Sequence, residues 1–339
     1  MKSSFRQTVT QQHRSFDRRR FLHLAAGAGA LTAVSQIAGA QTYPSRPVRI
    51  ISPFAAGGHG DVLGRLLGQW LSERLGQRFI IENRPGAGSN IGTESVVRAP
   101  PDGYTLLVVT PANAINATLY EKLNFNFIRD IAPVAGIDRQ MLMMIVNPSV
   151  PVMTVADFIA YVKTNPGKIN MASGGIGTTS HMAGELFKVM TGLDMTHVPY
   201  SGGAAPATAD LLGGHVQVMF SGGLSSIPYV RTGSLRALAV TTATRWDALP
   251  DIPTVGESVP GYEISPWDGL CAPKNTPAEI IEKLNREINA ALADSRIKAR
   301  LADIGAVPLP ITPAEFGRLI AADTEKWAKV IRAANIKLD

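Results

Sequence analysis

Two glycine-rich runs carry the groups most able to hold a ligand. The first is Phe54-Ala55-Ala56-Gly57-Gly58-His59-Gly60-Asp61, placed between a β-branched stretch (Val48 to Ser52) and an amphipathic one (Val62 to Leu75). The second is Ser173-Gly174-Gly175-Ile176-Gly177-Thr178-Thr179-Ser180-His181. In each a strand is predicted to end and a helix to begin, with the glycines in the turn. Such a turn leaves backbone N–H groups unpaired at the positive end of a helix dipole, which favours a carboxylate or phosphate. Two of them in one chain point to a single anionic ligand held between two lobes.

Backbone amides at Gly57, Gly58 and Gly60 are the expected donors of the first turn, with Phe54 and Ala56 beside them. Asp61 either caps the helix or meets a water or an amino group of the ligand. In the second turn Ser173, Gly177, Thr178 and Thr179 are the candidates, one hydroxyl serving as helix cap. Thr110 and Asn113 follow a strand end, where pocket and loop roles are equally open. Tyr200 and Ser201 stand at another strand end and are assigned to the cleft. His181, Phe220 and Trp267 are read as core residues, with Asp268 at the hinge. No residue is assigned a catalytic role.

The elements that position these groups alternate. Strands are expected at Phe79–Asn83, Tyr104–Thr110, Met141–Val146, Ile169–Ala172, Thr196–Tyr200, Val216–Phe220, Leu235–Thr241 and Ile264–Ala272, with helices between most of them. Alternation predicts parallel sheets whose strands finish at small or polar residues, where open α/β sheets bind ligands. Helices are expected at Ala278–Ala293, Arg296–Ile304 and Pro313–Ile336, the last opened by a capping signal at Thr312, Pro313 and Glu315. Met141–Val146 and Ile264–Ala272 are read as the segments that cross between lobes. Residues 41–142 with 265–339 then make lobe 1, and 143–264 lobe 2.

The first 40 residues read as a leader: Arg18-Arg19-Arg20-Phe21-Leu22, an Ala/Gly-rich apolar run, and Ala38-Gly39-Ala40 as a small-x-small cleavage site. The arginines favour twin-arginine export and a mature chain in the periplasm. This segment holds six of the 33 basic residues and one of the 27 acidic ones. The mature chain is therefore nearly neutral and shows no basic run for nucleic acid. Cys271 is the single cysteine, so no intramolecular disulfide forms. Dinucleotide and P-loop patterns fail, as do His-Glu-x-x-His and Gly-x-Ser-x-Gly. The six histidines are scattered, so neither metal nor cofactor is expected.

Six motifs in order carry a family resemblance: Phe54-Ala-Ala-Gly-Gly-x-x-Asp61, Glu82-Asn-Arg-Pro-Gly-Ala-Gly88, Pro101-Asp-Gly-Tyr-Thr-Leu106, Gly177-Thr-x-Ser-His181, Val198-Pro-Tyr-x-Gly202, and Trp267-x-Gly269 with Ala272-Pro273. Together they resemble the Bug family, the periplasmic substrate-binding receptors of tripartite tricarboxylate transporters. The resemblance spans residues 42–339. It implies an α/β, two-lobed type II periplasmic-binding fold with two crossover strands at the hinge. It also implies a small carboxylate or related acid or amide as ligand, gripped by the two glycine turns, and membrane transporter subunits as partners of a soluble, monomeric chain. His59-Gly60 departs from the small or Pro/Thr residues usual in the first turn, and Gly64 stands where Ala is common. Two other readings share these residues. One is a sensor feeding a two-component system. The other is a hydrolase using Ser180 with His181 or Ser201 with His197.

Overall fold

The computed structural model describes residues 43–200 and 203–338; the leader and its cleavage site lie outside the described residues. All elements below belong to the unit that begins at Pro44.

Strand β1 (Val48–Ser52) leads into helix α1 (His59–Leu75). Leu63, Leu67 and Leu71 recur one helical turn apart and are fully buried. The helix ends at left-handed Gly76, just past the amphipathic stretch. Its start differs: Gly58 is the N-cap and Asp61 the third helical residue. Asp61 still serves the turn, because its carboxylate accepts from the Gly57 amide (2.9 Å), Arg65 Nε (3.0 Å) and Asn83 Nδ2 (2.9 Å).

Strand β2 (Phe79–Asn83), helix α2 (Asn90–Val97) and strand β3 (Thr105–Val109) follow. β3 runs directly into helix α3 (Pro111–Leu119), for which the sequence gives no periodic signal. Thr110 caps it in a capping box with Asn113, and Pro111 takes the first helical position. After the short helix α4 (Phe127–Asp130) comes the ten-residue strand β4 (Ile131–Gln140).

Only Met141 separates β4 from β5 (Leu142–Val146), which begins the second sheet. That half continues through α5 (Val155–Thr164), β6 (Asn170–Ser173), α6 (Thr179–Thr191), β7 (Thr196–Pro199), α7 (Ala204–Leu212), β8 (Val218–Gly222), α8 (Gly223–Arg231) and β9 (Arg236–Val240). The chain returns over residues 241–266 to β10 (Trp267–Pro273), then α9 (Ala278–Ala293), α10 (Ser295–Asp303), β11 (Ala306–Pro308) and α11 (Pro313–Ala333). Leu142–Val146 therefore lies in the second sheet and Trp267–Pro273 in the first. The passages between sheets fall at Met141 and within 241–266.

The first sheet has the order β11-β4-β10-β3-β1-β2 and the second β7-β6-β8-β5-β9. The strands joined by crossover helices are parallel: β1 with β2 and β3, and β6 with β7 and β8. β10 and β5 run antiparallel to their neighbours. The reason is where they start. Each enters its sheet from the side at which β3 and β8 end, so Leu142 opposes Gly222 and Gly269 opposes Val109. Carboxyl ends from both sheets thus face the same space.

Helix α11 anchors the returning chain. Phe316 meets Trp267 edge-on at 5.4 Å between ring centroids, and the buried indoles of Trp267 and Trp327 both donate to Asp323. Burying rings of this size contributes about 1.5–3 kcal/mol each.

Candidate ligand-binding site

A cavity of about 480 Å³ lies between the two sheets, lined by residues of both. Its wall is built from the starts of five helices: Gly58, His59 and Gly60 of α1; Thr110, Pro111 and Ala112 of α3; Thr178, Thr179 and Ser180 of α6; Gly203, Ala204 and Ala205 of α7; Gly222, Leu224 and Ser225 of α8. Each start presents about half a positive charge and unsatisfied amides, worth about 0.3–1 kcal/mol toward an anion and more when partly buried. Phe54, Leu142, Met219, Phe220 and Pro266 supply apolar surface. Among the described lining residues there is no Lys or Arg, and His59 and Asp268 are the only ionisable side chains.

Of the three amides the sequence singles out in the first turn, only that of Gly60 has no partner among the described residues. Gly57 spends its amide on Asp61 and Gly58 its amide on the Ala55 carbonyl (3.2 Å), although both line the cavity. The next two amides, His59 and Gly60, have no partner among the described residues. In the second turn Thr178 is the cap: its hydroxyl donates to the Gly175 carbonyl (2.7 Å) and accepts from the His181 amide (3.3 Å). The amides of Thr179 and Ser180 are left without a partner among the described residues. Ser221 adds a buried, unpartnered hydroxyl on the wall.

Of the residues assigned to the site from sequence, Phe54, Ala56, Gly57, Gly58, Gly60, Thr110, Thr178 and Thr179 come together on this wall. Five described ones do not. Asp61 is held under the first turn by the bonds given above. Asn113 is buried, accepting from the Thr110 amide (2.9 Å) and donating to Thr93 (2.8 Å), so it ties α3 to α2. Ser173 is fully buried behind the wall. Gly177 (φ +76°) packs on α3, where an added Cβ would lie 2.6 Å from Leu119 Cδ2. Tyr200 donates its hydroxyl to Asp210 (2.6 Å) on α7. Ser201 lies outside the described residues. His59, Gln140, Ser180, Gly203, Ser221 and Asp268 reach the wall without having been assigned to it. Gln140 and Asp268 flank the passages between sheets, which is the one signal in the sequence that marks them.

His59 reaches across the floor to two carboxylates. Its Nε2 lies 2.8 Å from Asp138 Oδ2 and 3.3 Å from Asp268 Oδ2, and Gln140 Nε2 donates to Asp268 Oδ2. Burial opposes charging the ring, but the two carboxylates outweigh it and push its pKa up to about 10. Burial and the charge of Asp268 push Asp138 the same way, far above the carboxylate range, against the pull of His59.

The second turn rests on a different pair of imidazoles. His197 Nε2 bonds the Ser173 hydroxyl (2.7 Å), and its ring stacks on His181 at 3.8 Å. His181 Nδ1 accepts the Gly177 amide (3.2 Å). Burial, helped by His181 and Lys188 and opposed by Glu185, holds His197 down at about 3. Because its folded pKa is depressed, the unfolded chain takes up a proton near pH 6.5 that the folded chain refuses. Stability carried by neutral His197 is thus complete above pH 6.5 and is lost as pH falls toward 3. We expect the melting temperature to drop between pH 6.5 and 5, and the drop to shrink in His197→Gln. Parallel melting curves for the two proteins over this range would refute it. The Ser180–His181 pair does not assemble, because Ser180 donates to the Phe220 carbonyl; Ser201 of the other pair lies outside the described residues, and His197 engages buried Ser173.

A family model described as "Tripartite tricarboxylate transporter family receptor" matches residues 63–336. Protein BugT of Bordetella pertussis is 36% identical over 316 residues, covering 92% of this chain and 95% of that protein. The structure of Rpa4515 of R. palustris with adipate is 39% identical with a TM-score of 0.82, covering 87% of this chain and 99% of its own. MatC of Rhodopseudomonas palustris with bound malate is 31% identical with a TM-score of 0.78, covering 85% and 100%. The family match runs from within α1 to just past α11, through most strands of both sheets, so this chain belongs to the tripartite tricarboxylate transporter family of periplasmic solute-binding receptors.

Proposed function

We propose that this chain is exported, loses its leader near Ala40, and captures a small organic acid, most simply a dicarboxylate, for membrane transporter subunits without turning it over. The observation that carries this reading is the convergence of five helix starts on one cavity whose described wall has no cationic Lys or Arg. Fixed amide dipoles in a part-apolar cleft hydrogen-bond an anion strongly and cost little reorganisation. The cavity volume suits a small solute. The adipate and malate held by two structural neighbours are acids of the class such a wall favours. The two sheets act as the cores of two lobes, 41–142 with 265–339 and 143–264, that close by hinge motion at the passages. The bound chain acts as a soluble monomer, with no nucleic-acid partner.

Native mass spectrometry of the protein purified from its host without dialysis tests this. We expect a retained small acid whose amide counterpart binds at least tenfold more weakly by calorimetry. A retained neutral sugar, or equal affinity for acid and amide, would overturn the reading.

A further inference from the structure

We propose that His59, Asp138 and Asp268 form a binding site for one divalent transition-metal ion on the floor of the cleft. The three side chains come from the start of α1, from β4 and from β10, and one ligand atom from each lies within 4.8 Å of the other two. The two nitrogen–oxygen separations are 2.8 and 3.3 Å. A tetrahedral ion with bonds near 2.0–2.1 Å holds its donors roughly 3.3 Å apart, so the set closes around such an ion with small shifts. One imidazole and two carboxylates suit zinc, manganese or cobalt better than calcium or magnesium, which prefer all-oxygen shells.

A second observation points the same way. Asp138 Oδ1 and Asp268 Oδ1 are both buried and have no hydrogen-bond partner among the described residues. Buried carboxylate oxygens are ordinarily bonded or coordinate a metal. Asp138 and Asp268 are 0% and 1% exposed, so bulk water does not serve them. The charges also fit: the ion would displace the proton His59 holds between the two carboxylates, releasing it to solvent, and a doubly charged ion beside the then neutral imidazole cancels two carboxylates. Gln140, already donating to Asp268, is placed to orient that ligand from outside the coordination shell. His59 and Asp268 line the cavity, so the ion would be reached from the cleft and keep a coordination position open toward it. There it would place a double positive charge on a described wall that has no Lys or Arg; this last role alone rests on the receptor reading.

The test uses zinc, manganese and cobalt ions alone, added to the full protein after dialysis against a chelator. We expect uptake of one ion per chain, weakened at least tenfold in His59→Gln and in Asp138→Asn, and unchanged in His215→Ala, which removes an exposed imidazole elsewhere. Should either variant melt early, the cobalt absorption spectrum of the unaltered protein decides. Intense bands of a four- or five-coordinate site with nitrogen ligation support the site, and an aquo-like spectrum overturns it. Absence of stoichiometric uptake, or uptake indifferent to both variants, also overturns it. No solute is present, so failure here leaves the receptor reading standing, and failure of acid binding leaves the metal site standing.

Discussion

Replacing Thr179 by proline is expected to weaken acid binding by roughly 10- to 100-fold while moving the melting temperature by only a few degrees. Thr179 is the first residue of α6, the position at which proline is best tolerated in a helix. Thr178 before it has φ −73° and ψ 157°, the extended conformation that a residue preceding proline requires. The substitution therefore removes a single amide that has no partner among the described residues, at a residue that lines the cavity, and leaves the helix intact. A hydrogen bond to a charged acceptor contributes about 1.5–3 kcal/mol, which sets the size of the loss. Thr179→Val keeps the amide and removes only the hydroxyl, so it should cost less. Calorimetry with the co-purified acid separates the two. If the proline variant binds as tightly as the unaltered chain, the start of α6 does not grip the ligand.

That experiment targets an amide the sequence did not single out, and the reason is instructive. Glycines mark a turn but not which of its amides stay free. An aspartate four residues past Gly57 reads equally well as cap or as third helical residue, and the second choice moves the helix start back to His59. The Gly57 and Gly58 amides are then consumed by Asp61 and Ala55, which leaves the expected Gly60 amide and adds that of His59. Helices α3 and α8 were hidden for a related reason. Pro111 and the Gly222-Gly223 pair look like loop residues, yet they occupy the caps and first positions of helices aimed at the cavity. The type of most elements was legible because periodicity is local, though strands β4 and β11 were not among those expected. The antiparallel setting of β5 and β10 was not, since it depends on the side from which the chain enters each sheet. The His59–Asp138–Asp268 cluster leaves no spacing signal: His59 and Asp138 are 79 positions apart and meet only because α1 starts over the ends of β4 and β10.

A large stability loss is expected in Gly269→Ala. Its β10 neighbours hold it between two rigid surfaces: a Cβ there would lie 2.0 Å from Phe316 Cζ and 2.7 Å from the Ala135 carbonyl oxygen. Neither can yield easily. The oxygen is backbone in a paired strand, and the Phe316 ring is fully buried against Trp267. Overpacking of this kind costs about 3 kcal/mol or more. Gly184 offers a contrast at the same nominal clash, since its Cβ would meet Met171 Sδ at 2.0 Å. The unbranched thioether can swing aside, so Gly184→Ala should cost under about 1.5 kcal/mol. Truncating the ring in Phe316→Ala costs about 3–5 kcal/mol by itself. Combined with Gly269→Ala it should cost clearly less than the sum, because the cavity accepts the new methyl and only the Ala135 contact remains. Because Asp268 precedes Gly269 on the strand that floors the cavity, the single variant should also lose acid binding before it unfolds globally. Urea denaturation of the four proteins measures the cycle, and additive losses would show that α11 does not press on β10 at this point.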